Sequence, residues 1–246
     1  MKTISLSDPG RVRSHNEDSV LVLSNANSEY ILAVADGMGG HKAGEVASGI
    51  AIDYLKTQFE MLDTLGNKEE AISWIRNIVS EINDKIFKYT YAHEESKGMG
   101  TTLVIAVKTD DYILYGNIGD SSGYVMKNGL LHKITKDHTL VNLLVSTGEL
   151  TPEQAKFHPR KNLLTRALGA NDPIEIDIFD VDTNVSGLFL CSDGLTNMVA
   201  DDQIEKVLNN KSSIEEQVEK LIKKSNMRGG TDNISIAYLK KESGDL

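Results

Sequence analysis

Four aspartates in this 246-residue chain stand beside glycine at the edge of an apolar run. Asp36 ends ILAVA and precedes Gly37, and Asp120 follows Gly119 at the end of LYGNIG. Asp193 ends LFLCS and precedes Gly194, and Asp232 follows Gly229-Gly230-Thr231 ahead of NISIAYL. A fifth, Asp18, opens DSVLVLS directly after Glu17. Taken singly, each fits a turn, where Asp and Gly are the common residues. Taken together, they gather acids where strand ends would converge, and buried like charge requires a counter-ion. Oxygen ligands without clustered Cys or His favour Mg²⁺ or Mn²⁺ over Zn²⁺. Two such ions about 3.5–4 Å apart activate water and clamp phosphoryl oxygens.

The glycines after Asp36 lead to the same chemistry. A glycine-rich loop after a strand usually cradles phosphate with backbone N–H groups. Here G-x-G-x-x-G fails at Lys42, and the Walker pattern fails because Ala43 follows Lys42. Asp36 would repel a bare phosphate, so a phosphate at this loop arrives through a divalent cation. Arg13, close to Glu17 and Asp18, is the candidate to grip the remaining oxygens as a fork, though a surface arginine fits the local sequence equally well. His41, within the glycine loop, is the candidate proton donor to the leaving alkoxide, with a loop-capping role of comparable weight.

Other phosphate chemistries are excluded by spacing. Cys191 has Asn197 where a thiolate phosphatase of C-x₅-R type needs arginine. Asp180-Val181-Asp182-Thr183 approaches D-x-D-x-[TV], but Asn184 breaks it. Gly119-Asp120 alone, without nearby histidine ligands, is no sign of a calcineurin-like centre.

The elements that must position these residues are legible from hydrophobic pattern. Strands are expected at 18–24, 29–35, 101–108, 111–119, 122–129, 174–181, 187–192 and 233–240, with Asn128-Gly129 marking a hairpin. One helix is expected at 45–62. A second starts at Asn67-x-x-Glu70 and carries Ile75, Ile78, Val79, Ile82 and Ile86 on one face. A third follows Ser212-x-x-Glu215, with Ile214, Val218, Leu221 and Ile222 at helical spacing. Residues 138–168 interrupt the strands and read as a helical insertion over one end of the sheets. Strands in neighbouring runs with grouped helices favour antiparallel sheets covered by helices, in one domain spanning 1–246.

Composition narrows the partners. A formal net charge of −10 argues against nucleic acid and anionic membranes. The single cysteine excludes an intrachain disulfide framework and fits a reducing compartment. The N-terminus MKTISLSDPG has no apolar stretch of the signal-peptide kind, and no run reaches the roughly 20 apolar residues of a membrane span. A cytoplasmic protein is expected.

The constellation resembles the metal-dependent protein phosphatases of the protein phosphatase 2C type, in their bacterial form. The matching blocks, in family order, are GRVRSHNEDS, VADGMGGHKAGEVAS, GMGTTLV, NIGDSSGYV, LTRALG, LCSDGLTNMV and GGTDNISI, from Gly10 to Ile236. The resemblance implies an α+β fold, a four-layer α-β-β-α sandwich of two antiparallel sheets with the metals at one end and a mobile helical flap near 144–165. It implies Mn²⁺ or Mg²⁺, two ions per site with a third, weaker one. By position Asp36 bridges two ions, Asp193 and Asp232 complete one, and the Gly37 carbonyl serves the other. Asp120 with Asp193 matches the third, Glu17 and Asp18 hold water around the ions, Arg13 grips phosphate, and Asn233 orients a water. The implied reaction is hydrolysis of phosphoserine and phosphothreonine in proteins by a metal-bridging hydroxide, reversing a membrane-anchored bacterial Ser/Thr kinase. Two positions depart from the family: Ser122 stands where arginine is common, and Met38 where the eukaryotic branch has histidine. The rival reading, a catalytically silent binding module, would be marked by lost metal aspartates, and all are present.

Overall fold

The run Ile31–Ala35 is apolar at every position because both faces of its strand are covered. In the structure, a computed structural model that describes residues 1–40 and 43–241, odd-numbered Ile31, Ala33 and Ala35 face helices. Even-numbered Leu32 and Val34 face a second sheet. The period-two alternation of a strand thus becomes the organising axis of a sandwich.

The chain begins with β1 (Lys2–Asp8), β2 (Asp18–Ser24) and β3 (Tyr30–Met38), then α1 (Ala43–Glu60) and α2 (Lys68–Ala92). Four strands and a short pairing segment follow: β4 (Gly100–Thr101), β5 (Leu103–Lys108), β6 (Ile113–Ile118), β7 (Ser122–Lys127) and β8 (Leu130–Lys133). Two short helices, α3 (Leu140–Ser146) and α4 (Pro152–Lys156), precede β9 (Asp177–Val181) and β10 (Gly187–Cys191). The C-terminal part holds α5 (Asp193–Thr196), α6 (Asp201–Leu208), α7 (Ile214–Met227) and β11 (Ile234–Lys240). One sheet runs β1-β11-β10-β7-β8 and the other β2-β3-β5-β6-β9, with β4 paired to β3. All these pairs are antiparallel.

Three apolar layers hold the four structural layers together. Leu32, Val34, Val104, Leu188, Leu190 and Ala237 fill the space between sheets. Ile31, Ile105, Leu55 and Ile82 join one sheet to α1 and α2. Phe189, Ile236, Val218 and Leu221 join the other to the C-terminal helices. Antiparallel sheets flanked by helices were the expectation, and the helical faces of α2 and α7 are buried as their spacing requires. The Asn128-Gly129 turn has φ of 54° and 79°, the double positive φ of a two-residue hairpin.

Differences from expectation are local and have physical causes. The β1 strand went unrecognised because it is an edge strand whose apolar signal is only Ile4 and Leu6. The third capping box sits one residue later than expected: Ser213 Oγ accepts from Glu216 N–H and Glu216 Oε2 accepts from Ser213 N–H, both at 3.2 Å. The helix α6, only eight residues long, was also not anticipated. The expected 174–181 strand is regular only from Asp177, although Ile174 and Ile176 still pack against the core. The interval expected to hold the insertion contains α3 and α4, tied at its base by a Thr139–Leu164 bridge. No helix among the described residues is long and apolar enough to cross a membrane.

Leu190, fully buried between the sheets, tests this packing. Leu190→Ala should lower unfolding free energy by about 2–5 kcal/mol, read as a lower urea midpoint. Leu130→Ala, at a half-exposed hairpin position, should change it by less than about 0.5 kcal/mol.

Candidate active site

The antiparallel register of β2 and β3 sets Asp18 directly opposite Asp36. Asp36 does not end its strand as the apolar run suggested. The strand continues through Gly37 to Met38 because β4 pairs with both, Gly37 with Thr101 and Met38 with Gly100. The Asp36 peptide is held on both sides: its N–H donates to Thr102 Oγ1 at 2.9 Å, and its carbonyl accepts from Thr101 Oγ1 at 2.9 Å. Gly37 is required by close approach, since a Cβ there would lie 2.0 Å from the Gly44 carbonyl oxygen. The start of α1 therefore presses onto the strand at the site.

Asp193 opens α5 directly after β10, and Asp232 precedes β11, the neighbour of β10 in the sheet. Asp120 lies in the turn between β6 and β7. These positions, at one end of both sheets, bring Arg13, Glu17, Asp36, Gly37, Asp120, Asp193 and Asp232 onto one cleft of about 570 Å³. Asp18 lies buried behind it, where Ser192 Oγ donates to its Oδ2 at 2.7 Å. His41 falls outside the described residues.

Burial and mutual repulsion dominate the electrostatics. Burial, then the charges of Asp18, Asp193, Asp120 and Asp232, hold the Asp36 carboxyl well above the ordinary carboxylate range. Asp120 is pushed up to about 7, first by burial and then by Asp193. Asp18 is likewise raised to about 7 by burial, against hydrogen bonds from Ser192 and Ser235. Burial and Asp232 raise Asp193, opposed by Asn197, whose Nδ2 donates to Asp193 Oδ2 at 3.0 Å. Arg13 supplies positive charge, donating from Nη2 to Asp232 Oδ2 at 2.9 Å, and that hydrogen bond raises its own pKa.

The donor set fits divalent cations. Asp18 Oδ1 and Asp193 Oδ1 are buried acceptors that receive no hydrogen bond, an arrangement that a cation or its bound water satisfies. As placed, no three Asp, Glu, His or Cys side chains among the described residues close into a finished ion-binding cluster. Hard divalent ions keep several waters, so a partial set of carboxylates suits them.

Asn233 fastens the N-terminal loop to the start of β11. Its Oδ1 accepts from Glu17 N–H at 2.8 Å, and its Nδ2 donates to the carbonyls of Pro9 and His15 at 3.0 and 2.9 Å. Both amide protons are spent on the loop that carries Arg13 and Glu17. Sequence reasoning missed Thr101, Thr102, Ser192 and Asn197 as supports. The signal available was small polar residues beside apolar strands, where an unpartnered hydroxyl would be costly.

The raised carboxyls give a signed pH dependence for chelator-treated protein. A carboxyl whose pKa rises on folding contributes fully below about pH 4 and loses that contribution as pH climbs through about 7. The melting temperature without divalent ions should therefore fall between pH 5 and 8, less steeply in Asp120→Asn, and Mn²⁺ at pH 8 should restore it. Equal slopes in the two proteins, by scanning calorimetry, would contradict the assigned burial of Asp120.

The family model described as Protein phosphatase 2C matches residues 11–230. The serine/threonine phosphatase stp of Listeria monocytogenes is 42% identical over 236 residues, covering 96% of this chain and 94% of that protein. Protein phosphatase PhpP of Streptococcus pneumoniae is 35% identical over 248 residues, covering 100% and 99%. Among solved structures, the S. agalactiae serine/threonine phosphatase superposes with a TM-score of 0.92 at 34% identity, over 98% of this chain and 99% of that one. Stp1 from Staphylococcus aureus gives 0.92 at 36% identity, over 98% and 95%. With five carboxylates converging on one cleft and a match along nearly its whole length, the chain belongs to the protein phosphatase 2C family.

Proposed function

We propose that this protein hydrolyses phosphoserine and phosphothreonine in proteins, using Mg²⁺ or Mn²⁺ held by the cleft aspartates. The observation that carries the reading is the convergence of Asp36, Asp120, Asp193 and Asp232 on one cleft with Arg13 at its wall. The family is metal-dependent, and the acids that a binding-only relative would lack are all in place. Asp36, the Gly37 carbonyl, Asp193 and Asp232 would hold two ions, and Asp120 with Asp193 a weaker third. Bound there, divalent cations supply an activated water and neutralise phosphoryl oxygens.

The chain's own groups do the rest. Arg13 is half-exposed, and its guanidinium exchanges Asp232 for substrate phosphate, binding two oxygens as a planar fork. Glu17 and Asp18 accept hydrogen bonds from water at the site. His41 is the proposed proton donor to the leaving seryl or threonyl oxygen. The segment carrying α3 and α4 adjoins the cleft through residues 162–167 and serves as a flap over substrate. The catalytic domain spans 1–246 and acts in the cytoplasm, opposing a membrane-anchored Ser/Thr kinase on shared substrates.

Phosphate release from a phosphothreonine peptide with Mn²⁺, with Mg²⁺ and with excess chelator tests the reading: release should require metal and stop in chelator. Asp193→Asn should lower turnover at least ~100-fold, the scale of losing one group at a reacting centre, with the fold intact by far-UV circular dichroism. Full activity in that variant would overturn the metal assignment. Arg13→Ala should raise KM for the phosphopeptide by about 10-fold or more, and Arg13→Lys should recover little, because an ammonium cannot replace the fork.

A further inference from the structure

The turn that presents Asp120 is clamped from outside the cleft by His138. The His138 N–H donates to the Gly119 carbonyl at 2.9 Å, and the Gly119 N–H donates back to His138 Nδ1 at 3.1 Å. Asn117 Nδ2 adds a second bond to the same carbonyl at 3.1 Å. Gly119 has a φ of +95°, and a Cβ there would stand 2.5 Å from Thr102 Cγ2, so the turn fits against Thr102 only with glycine at this position. Thr102 is the residue whose hydroxyl accepts the Asp36 N–H.

Because Nδ1 accepts a backbone N–H, the ring proton of neutral His138 belongs on Nε2. That atom faces Asp177 Oδ2 at 3.1 Å, and Arg166 Nη1 donates to the other oxygen at 2.6 Å. Nε2 and Arg166 Nη1, 3.3 Å apart, are both donors and converge on the carboxylate rather than bonding each other. Asp177 stands at the start of β9, paired in register with Asn117 of β6, so the sheet itself places the acceptor. Burial works against the Asp177 carboxylate, but hydrogen bonds from Arg166 and His138, with the charge of Arg166, hold its pKa below the ordinary value. The ring is largely buried, with side-chain exposure of 10%.

We propose that Asp177 and His138 form a positioning pair: Asp177 fixes the His138 tautomer, His138 fixes the Gly119–Asp120 turn, and together they set the metal affinity of Asp120. This rests on Asp120 being a ligand of the weakest ion. Neither residue lines the cleft, so both are positioning residues and not catalytic ones. The logic is that of outer groups that orient a ligand, whose loss typically weakens metal binding about 10–100-fold.

The test is Mn²⁺ binding to the full chain by calorimetry, without substrate, in wild type and in Asp120→Asn, Asp177→Ala, Asp177→Asn and His138→Ala. Asp120→Asn should abolish the weakest step. Asp177→Ala and His138→Ala should weaken that step about 10-fold or more and leave tighter steps within about twofold, while Asp177→Asn, which still accepts from Nε2, retains most of it. An unchanged weakest step in both alanine variants, or equal weakening of every step, would overturn the positioning role while leaving the ligand reading intact. Unchanged binding in Asp120→Asn would overturn the ligand reading and the proposal with it. Should the alanine variants fail to fold, the imidazole ¹⁵N spectrum of the Mg²⁺-loaded wild type decides: protonation at Nε2 supports the pair, and protonation at Nδ1 overturns it.

Discussion

Repulsion among carboxylates at one end of the sandwich is the constraint around which this structure is arranged. Like charges directly opposite on neighbouring strands are ordinarily destabilising, yet Asp18 and Asp36 occupy that relation in β2 and β3. The arrangement persists because the strands carrying them are held elsewhere. Ile31 to Ala35 are buried on both faces, and β10 and β11 lie in the opposite sheet with cores on either side. The apolar layers tolerate a strained polar end because they do not depend on it. Arg13 relieves part of the repulsion at Asp232, and divalent cations are the natural remedy for the remainder.

Around the acids the structure places neutral hydrogen-bonding groups that hold backbone. Thr101 and Thr102 grip the Asp36 peptide, Asn197 reaches Asp193 from one helical turn away, and Ser192 joins Asp18 to the backbone of Ser235. Asn233 ties β11 to the 9–17 loop, so Arg13 and Glu17 are positioned by the last strand of the chain as well as by their own neighbours. Hydroxyls and amides suit this task, since they fix geometry without adding net charge to a site that already has too much of one sign. The His138–Asp177 pair extends the same pattern to Asp120, with the Asp177 carboxylate kept outside the cleft and reaching the Asp120 turn through the ring.

Ser122 shows how the site and the core meet. It opens β7 opposite Cys191, close in sequence to Asp120, and it is buried. Ser122 adds no charge, so positive charge near Asp120 comes from elsewhere. Lys133 is the cation that lowers the Asp120 pKa, against burial and the neighbouring acids that raise it.

Much of this protein was determined by sequence alone. Local pattern was enough for the buried strands, the faces of α2 and α7, the Asn67–Glu70 box and the Asn128-Gly129 hairpin, because each depends on residues a few positions apart. The aspartates could be named because acids beside glycine at the ends of apolar runs are conspicuous without coordinates. Edge strand β1 and short helix α6 escaped, since their stability comes from partners distant in the chain; the start of α7 slipped by one residue because Ser212-x-x-Glu215 and Ser213-x-x-Glu216 fit the same capping box. Only the tertiary structure decided that Asp36 lies within a strand, that Asn233 serves the N-terminal loop, and that His138 and Asp177 stand behind Asp120. Those facts are hydrogen bonds across separations of 19 to 224 residues. Propensity and periodicity describe neighbours along the chain, whereas such contacts exist only once sheet register has brought the strands together.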